Sequence, residues 1–211
     1  MPNLLKDLNL IKRVRTRSQH STIAKSNAVL KLYGELDTEI ANFKKRSGLK
    51  CITDCSICCE SHKVEATTLE LLPLAIHLCN KEKGEYWLNK AKESKLSGVC
   101  IFYESKPSSQ NKGNCSIYRY RPLVCRLFGF SAIVDKNGSL VLQTCAKIKN
   151  NFVIEYKNVQ VNARNDIPIP RMVNFTNKLM GIEFTNGVKQ LPINQAIADS
   201  IGKVLLRKGY L

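Results

Sequence analysis

Four cysteines lie within ten residues of this chain, in the segment CITDCSICCE that begins at position 51. The whole chain has nine cysteines: Cys51, Cys55, Cys58, Cys59, Cys79, Cys100, Cys115, Cys125 and Cys145. An odd number of thiols cannot pair completely within one chain. In a reducing compartment, clustered thiols bind metal or carry out redox chemistry more often than they form disulfides. The spacing therefore predicts a metal-binding core rather than a disulfide framework.

Length and hydrophobicity are those of one ordinary globular domain, since the chain has 211 residues of which 44% are hydrophobic. No apolar run approaches the roughly 20 residues that span a bilayer. The first residues, MPNLLKDLNLIKRVRTR, are basic but lack the continuous apolar segment of a secretory signal. The sequence therefore predicts a cytoplasmic protein without a transmembrane segment.

The formal net charge is +16, with basic residues spread from Lys6 to Lys208. Such a charge invites a nucleic-acid partner. Because the lysines are not confined to one arm, a generally solvated cationic surface is the preferred interpretation. Nucleic acid remains an alternative partner that is not favoured, and no protein partner is indicated.

Periodicity predicts several helices. One covers residues 21–46, capped by Ser21 or Thr22 and ended by Gly48, with a short amphipathic helix before it. A second begins at Thr67, with Glu70 completing a capping box, and runs to about Cys79. Further helices are expected at 84–96, at 146–158 and from near Pro192 to the end.

The segment SAIVDKNGSLVLQTC predicts a β-hairpin that ends on Cys145, and DIPIPRMVNF predicts an extended segment. Together these elements predict a mostly helical α+β fold around an irregular cysteine-rich core with a small hairpin. Its parts would be a basic helical region (1–47), a cysteine-cluster metal-binding domain (48–148), and an extended segment and helix (149–211) packed on the same domain.

Thiolates bind soft or borderline ions, and four of them complete a zinc site or hold the corners of a cubane cluster. Cys55 and Cys58 have the spacing whose turn brings two sulfurs onto one ion. Adjacent Cys58 and Cys59 diverge in regular structure, which favours two neighbouring centres, although the sequence leaves open whether they share one. Cys79 lies in the apolar helical segment LAIHLCN, where a buried core thiol is expected.

A longer motif follows this cluster. CIFY begins at Cys100, CSIYRYRPLVCRLF begins at Cys115 and contains Cys125, and Cys145 comes after the hairpin. The combined pattern resembles the family of zinc- or iron-chelating domains named for its CxxCxxCC cysteine cluster, over about residues 48–148. A similar cysteine block occurs in flagellin lysine methylases, where it looks like an iron–sulfur-binding module.

The resemblance implies eight metal ligands, namely Cys51, Cys55, Cys58, Cys59, Cys100, Cys115, Cys125 and Cys145. Because thiolate sites carry a large negative charge, Tyr118, Arg121 and Arg126 are candidates to donate hydrogen bonds to the sulfurs. The alternative is that Tyr118 packs in the core and the two arginines make ordinary backbone bonds or ion pairs.

The C-x3-C-x2-C spacing is also that of radical enzymes that cleave S-adenosylmethionine, but three features argue against them. Ile57 stands where those enzymes carry an aromatic residue, the cluster follows a predicted helix rather than a strand, and the remaining chain is short for a partial barrel of βαβ units. No glycine-rich S-adenosylmethionine motif is present.

We therefore expect a protein that holds an iron–sulfur cluster, preferably of the 4Fe–4S type, or zinc, with a redox, electron-transfer or metal-handling role. Two alternatives stay open. One is a metal-stapled nucleic-acid-binding or protein-interaction module, motivated by the charge. The other is a protein side-chain-modifying enzyme related to the flagellin lysine methylases, so the sequence does not decide whether the protein is an enzyme.

Overall fold

The first element is one long helix, α1, that spans Leu4–Ser47. The computed structural model describes residues 4–53, 55–94, 98–106, 113–162 and 167–208. A separate short helix and a helix start at Ser21 or Thr22 were predicted, and that prediction is wrong: no proline or glycine interrupts the residues on either side, so the helix continues. The predicted end is confirmed. Gly48 has φ +73°, and its N–H donates to the Lys44 carbonyl at 3.0 Å.

Short elements make up the rest of the described chain. The other helices are α2 (Leu72–Asn80), α3 (Gly84–Glu93), α4 (Leu123–Leu127), α5 (Ala146–Asn151), α6 (Val153–Asn162), α7 (Met172–Ile182), α8 (Phe184–Val188) and α9 (Ile193–Lys208). The strands are β1 (Glu65–Thr67), β2 (Tyr103–Ser105), β3 (Gly113–Cys115), β4 (Ser131–Val134), β5 (Leu140–Gln143) and β6 (Gln190–Pro192). Helices at both ends and small strand pairs confirm the α+β class.

The strands pair as three two-stranded antiparallel sheets, β1 with β6, β2 with β3, and β4 with β5. The hairpin β4–β5 is the predicted one. Gly138 in its turn has φ +76°, and Asp135 Oδ1 accepts the N–H groups of Asn137 and Ser139 at 2.9 and 2.7 Å. This arrangement differs from the repeated parallel strand–helix series of a radical enzyme.

Two helix starts differ from their predictions. Helix α2 begins at Leu72 instead of Thr67, because residues 68–71 form a turn in which the capping box lies. Helix α7 begins at Met172, inside the segment predicted to be extended. Among the described residues of that segment, Arg171 is extended and forms an isolated bridge with Ala132. A proline disfavours helix in the residue before it, so the helix follows the last proline, Pro170.

Helix α1 packs against α2, α4, α6, α7 and α9, and α9 packs against α2 and α3. The face of α1 with Tyr33, Leu36, Ile40 and Phe43 is buried, whereas Ile23 is 51% exposed. The same core anchors the segments that carry Cys51, Cys100, Cys125 and Cys145, because each has a buried apolar side chain two or three residues from its cysteine. These anchors are Leu49, Phe102, Leu127 and Ile148.

A buried carboxylate, that of Glu70, joins three elements. Its Oε2 accepts the N–H of Thr67 at 2.7 Å, and its Oε1 accepts the N–H of Leu123, at the start of α4, at 2.8 Å. The hydroxyl of Tyr33 on α1 donates to the Glu70 carbonyl at 2.8 Å. Burial raises the pKa of Glu70 despite the hydrogen bonds from the two backbone N–H groups.

Replacing Glu70 with alanine should lower the free energy of unfolding by about 2–4 kcal/mol, because two buried N–H groups lose their acceptor. Glu70→Gln should cost less, since its carbonyl oxygen still serves one of them. Urea unfolding followed by circular dichroism measures both values. Equal stability of the alanine variant and the wild type would contradict this role.

The same residue predicts a pH dependence. A folded-state pKa above the unfolded-state value contributes stability that is complete below the unfolded pKa and is lost as the pH rises through the folded pKa. The free energy of unfolding of the wild type, measured relative to that of Glu70→Gln, should therefore decrease as the pH rises above about 4. A difference that is constant with pH would count against a raised pKa.

Candidate metal centre

Five segments carry the eight predicted ligands. The turns after α1 hold Cys51, Cys55, Cys58 and Cys59; Cys100 precedes β2; Cys115 ends β3; Cys125 lies in α4; and Cys145 is the N-terminal cap of α5. Cys51 is exposed and the other seven are partly buried. Cys79 is buried in the hydrophobic core, where the sequence placed it.

The first segment is tied to β2 by three polar side chains. Ser56 donates to Glu60 Oε1 at 2.8 Å, and the hydroxyl of Tyr103 donates to the same oxygen at 2.7 Å. The N–H of Cys59 donates to the Ser56 carbonyl at 2.7 Å, and this hydrogen bond closes the turn. Since Tyr103 lies opposite Cys115 in the β2–β3 pair, these bonds bring Cys55, Cys58 and Cys59 toward the strand that carries Cys115.

Cys100 is positioned by the last helix. Asn194, buried in the first turn of α9, accepts the N–H of Ile101 at 3.0 Å and donates to the carbonyl of Val99 at 3.1 Å. The two bonds hold the backbone on both sides of Cys100. Nothing in the local sequence around Asn194 indicates this role, because its partners lie more than 90 residues earlier in the chain.

Arg126 fixes the segment that carries Cys125. Its side chain is 4% exposed and forms an ion pair with Asp37 of α1 at 2.6 Å. The same guanidinium donates to the Arg121 carbonyl at 2.8 Å and to the carbonyl of Arg119, and it lies 4.2 Å from the ring centroid of Tyr33. The turn before α4 is therefore wrapped around one buried cation.

Cys145 is held by the hairpin and by α5. Its Sγ accepts the N–H of Ile148 at 3.4 Å, and its carbonyl accepts the N–H of Lys149 at 3.1 Å. Ile148 is buried beneath it in the core. These contacts fix the backbone beside the sulfur.

Electrostatic effects connect the cysteine-bearing segments. Cys55, Cys58 and Cys145 act to raise the pKa of Cys51, and Cys58, Cys100 and Cys115 act to raise that of Cys125. Cys58 acts on both thiols. The segments therefore come near one another in one region of the molecule, and the eight predicted ligands that they carry are called the cysteine cluster below.

Cys58 and Cys59 lie in a turn formed by residues 57–60. A hydrogen bond between the two thiols lowers the pKa of Cys58 and raises that of Cys59. Adjacent side chains diverge in a helix or strand, and this turn is neither. That the pair serves two neighbouring centres stays a prediction.

Burial opposes thiolate formation in most of the cluster. It raises the pKa of Cys100 to about 11 and that of Cys125 to about 12. The positive charge of Arg121 acts in the opposite direction on Cys58, Cys115 and Cys125. A metal ion that binds these sulfurs must replace their protons.

The three flanking residues lie at or near the cluster in different ways. Arg121 stacks on the ring of Tyr118, 3.5 Å from its centroid, and donates to the Tyr118 carbonyl at 3.1 Å while its charge faces the sulfurs. Tyr118 is 64% exposed, so the alternative that it packs in the core is wrong. Arg126 pairs with Asp37 and donates to backbone carbonyls, which is the ordinary ion-pair role.

Lys44, in the last turn of α1, is a cation near the cluster. It lies 4.2 Å from the ring centroid of Phe130. Burial lowers its pKa, while the neighbouring Cys51 acts to raise it. Its position seven residues before Cys51 is a signal that could have placed it there, because Gly48 turns the chain back at the helix end.

The donor set fits zinc or iron, since clustered sulfur ligands beside a fixed cation suit these ions. Among the described residues, no group of three or more His, Cys, Asp or Glu side chains is already arranged to hold a metal ion. The backbone therefore gathers the donors in one region without itself setting a coordination geometry.

Replacing Arg126 with lysine should lower the free energy of unfolding by about 2–4 kcal/mol and reduce metal retention, because an ammonium cannot serve Asp37 and two carbonyls in the same plane. Asp37→Asn should cost less, since Asp37 is 54% exposed and the amide oxygen still accepts. Thermal unfolding together with metal content per chain tests both. A larger loss of stability and metal in Asp37→Asn than in Arg126→Lys would contradict this ranking.

In the described residues, no helix is both long enough and apolar enough to cross a membrane. No curated protein and no solved structure matches the chain. A family model does match: residues 50–153 fit the CxxCxxCC family, whose description is "Putative zinc- or iron-chelating domain". The matched range contains all eight cysteines of the cluster. Through residues 50–153, this chain belongs to the CxxCxxCC family of zinc- or iron-chelating domains.

Proposed function

We propose that the cysteine cluster holds an iron–sulfur cluster, preferably of the 4Fe–4S type, or zinc, and that the protein serves electron transfer, redox sensing or metal handling. One observation carries this proposal. Residues 50–153 match a family described as a putative zinc- or iron-chelating domain, which supports metal binding by this part of the chain. Five segments in this range carry the eight candidate ligands, whereas Cys79 is buried in the hydrophobic core.

Three features support iron–sulfur over zinc. The cluster has more than four thiols, most of them are half-buried, and Arg121 supplies a cation that offsets thiolate charge. When bound, an iron–sulfur cluster would supply one-electron redox chemistry. Exposed Cys51 places one edge of the cysteine cluster at the protein surface, where an electron or metal-donating partner has access.

The chain's own residues would tune such a centre. The N–H of Ile148 donates to Cys145 Sγ at 3.4 Å, and Arg121 lies beside the sulfurs of Cys58 and Cys115. Hydrogen bonds and positive charge near sulfur stabilise the more negative, reduced state, whereas burial of the charge opposes it. These opposing effects set the reduction potential.

Anaerobic purification with iron, zinc and acid-labile sulfide analysis tests the proposal, together with a visible spectrum before and after reduction. We expect iron, sulfide and a visible band that bleaches on reduction. Cys125→Ser should weaken metal retention more than about tenfold, since even changes beyond the coordination shell cost about 10–100-fold. Cys79→Ala is the matched control and should retain the wild-type metal content.

A colourless protein that holds stoichiometric zinc would reject the redox role and keep metal binding. A protein with neither zinc nor iron would reject the proposal. Equal metal loss in Cys79→Ala and Cys125→Ser, with both variants folded by circular dichroism, would show that the cysteine cluster is not the binding site.

A further inference from the structure

A cleft of about 740 Å³ lies between α3, the α8–β6 segment and α9. Its described lining contains no cysteine, so it is separate from the cysteine cluster. The volume falls within the roughly 300–1,000 Å³ of small-molecule sites. Neither the packing of the core nor the metal centre involves this large concave surface.

The floor of the cleft is apolar. Leu88, Leu191, Ala198 and Leu206 line it, and Leu206 is 63% exposed. Gly202 lies between Ala198 and Leu206 on the same face of α9, and a Cβ added there would meet no atom within 4 Å. The cleft therefore has open space beside Gly202 and one exposed apolar side chain, Leu206, in its lining, whereas Leu88 and Leu191 are buried beneath it.

One wall of the cleft is polar and internally connected. Lys203 Nζ donates to Asp199 Oδ2 at 2.8 Å and to Asn186 Oδ1 at 2.6 Å. Thr68 donates to the same Asp199 oxygen at 2.6 Å. The single carboxylate of the described lining is thus already neutralised by a lysine. An ammonium has three donors, so Lys203 keeps one for a ligand.

Two further lysines, Lys92 and Lys189, line the cleft. In the described ranges, neither forms an ion pair with a carboxylate. Three lysines against one aspartate give the cleft a positive charge that its own residues do not balance. An apolar floor beneath unbalanced cations fits a ligand that has both an apolar part and a negative charge.

We propose that this cleft binds a small amphipathic anion, that is, a molecule with an apolar chain or ring and a carboxylate or phosphate group. The apolar part lies along α9 over Ala198 and Gly202, and the anionic group meets the lysines. The described lining has no aromatic side chain. Single-stranded nucleic acid, whose bases stack on aromatic rings, is therefore the less suitable occupant.

Isothermal titration of the full-length, metal-loaded protein tests this proposal with four probes. Decanoate and decyl phosphate carry both features of the ligand, decanol lacks the charge, and inorganic phosphate lacks the apolar part. We expect at least one of the two amphipathic anions to bind at least about tenfold more tightly than decanol and phosphate, a difference well resolved by titration. The better of the two identifies the preferred head group.

The double variant Lys92→Glu/Lys189→Glu should bind that anion at least about tenfold more weakly than the wild type. The matched control, Lys31→Glu/Lys157→Glu, reverses two exposed lysines that do not line the cleft and should bind as the wild type does. Gly202→Leu fills the open space and should abolish binding of decanol as well as of the anion. Unchanged metal content confirms that each variant is folded.

Failure of both amphipathic anions to bind would overturn the proposal. So would equal binding in the two double variants, undiminished binding in Gly202→Leu, or equally tight binding of inorganic phosphate. A single-stranded oligonucleotide that binds more tightly than decyl phosphate, and that only Lys92→Glu/Lys189→Glu weakens, would assign the cleft to nucleic acid instead. None of these results depends on which metal the cysteine cluster holds.

Discussion

The guanidinium of Arg126 lies buried where the long helix α1 meets the segment that carries Cys125. It pairs with Asp37 at 2.6 Å and bonds to the carbonyls of the turn that leads into α4. A buried charge is costly unless its donors are used, so this turn cannot shift without leaving a cation unpaired. The position of Cys125, and with it the shape of the cysteine cluster, depends on that constraint.

Two kinds of contact position the cysteine-bearing segments. Buried side chains such as Leu127 and Ile148 attach their segments to the core, and hydrogen bonds fix the backbone beside the sulfurs. Helix α9 takes part in both candidate sites, since Asn194 holds the Cys100 segment and, farther along, Ala198 and Lys203 line the cleft. The cysteine cluster therefore relies on a helix that lies outside the family-matched residues 50–153.

Local patterns predicted the elements whose causes are local. The end of α1 at Gly48 and the hairpin around Gly138 were predicted correctly, because the backbone conformation of a turn depends on a few neighbouring residues. The predicted starts of α1 and α2 were wrong, because Ser and Thr can cap a helix or lie within one. Packing against the rest of the molecule decides between these outcomes.

The sequence by itself determined the end of α1 at Gly48, the hairpin around Gly138 and the burial of Cys79, since residue type, spacing and local hydrophobicity act within a few residues. Only the tertiary structure decided that Arg126 pairs with Asp37 from 89 residues away and that Asn194 holds the Cys100 segment. These contacts join distant segments. Their geometry follows from how the helices pack around one core, and no local pattern encodes it.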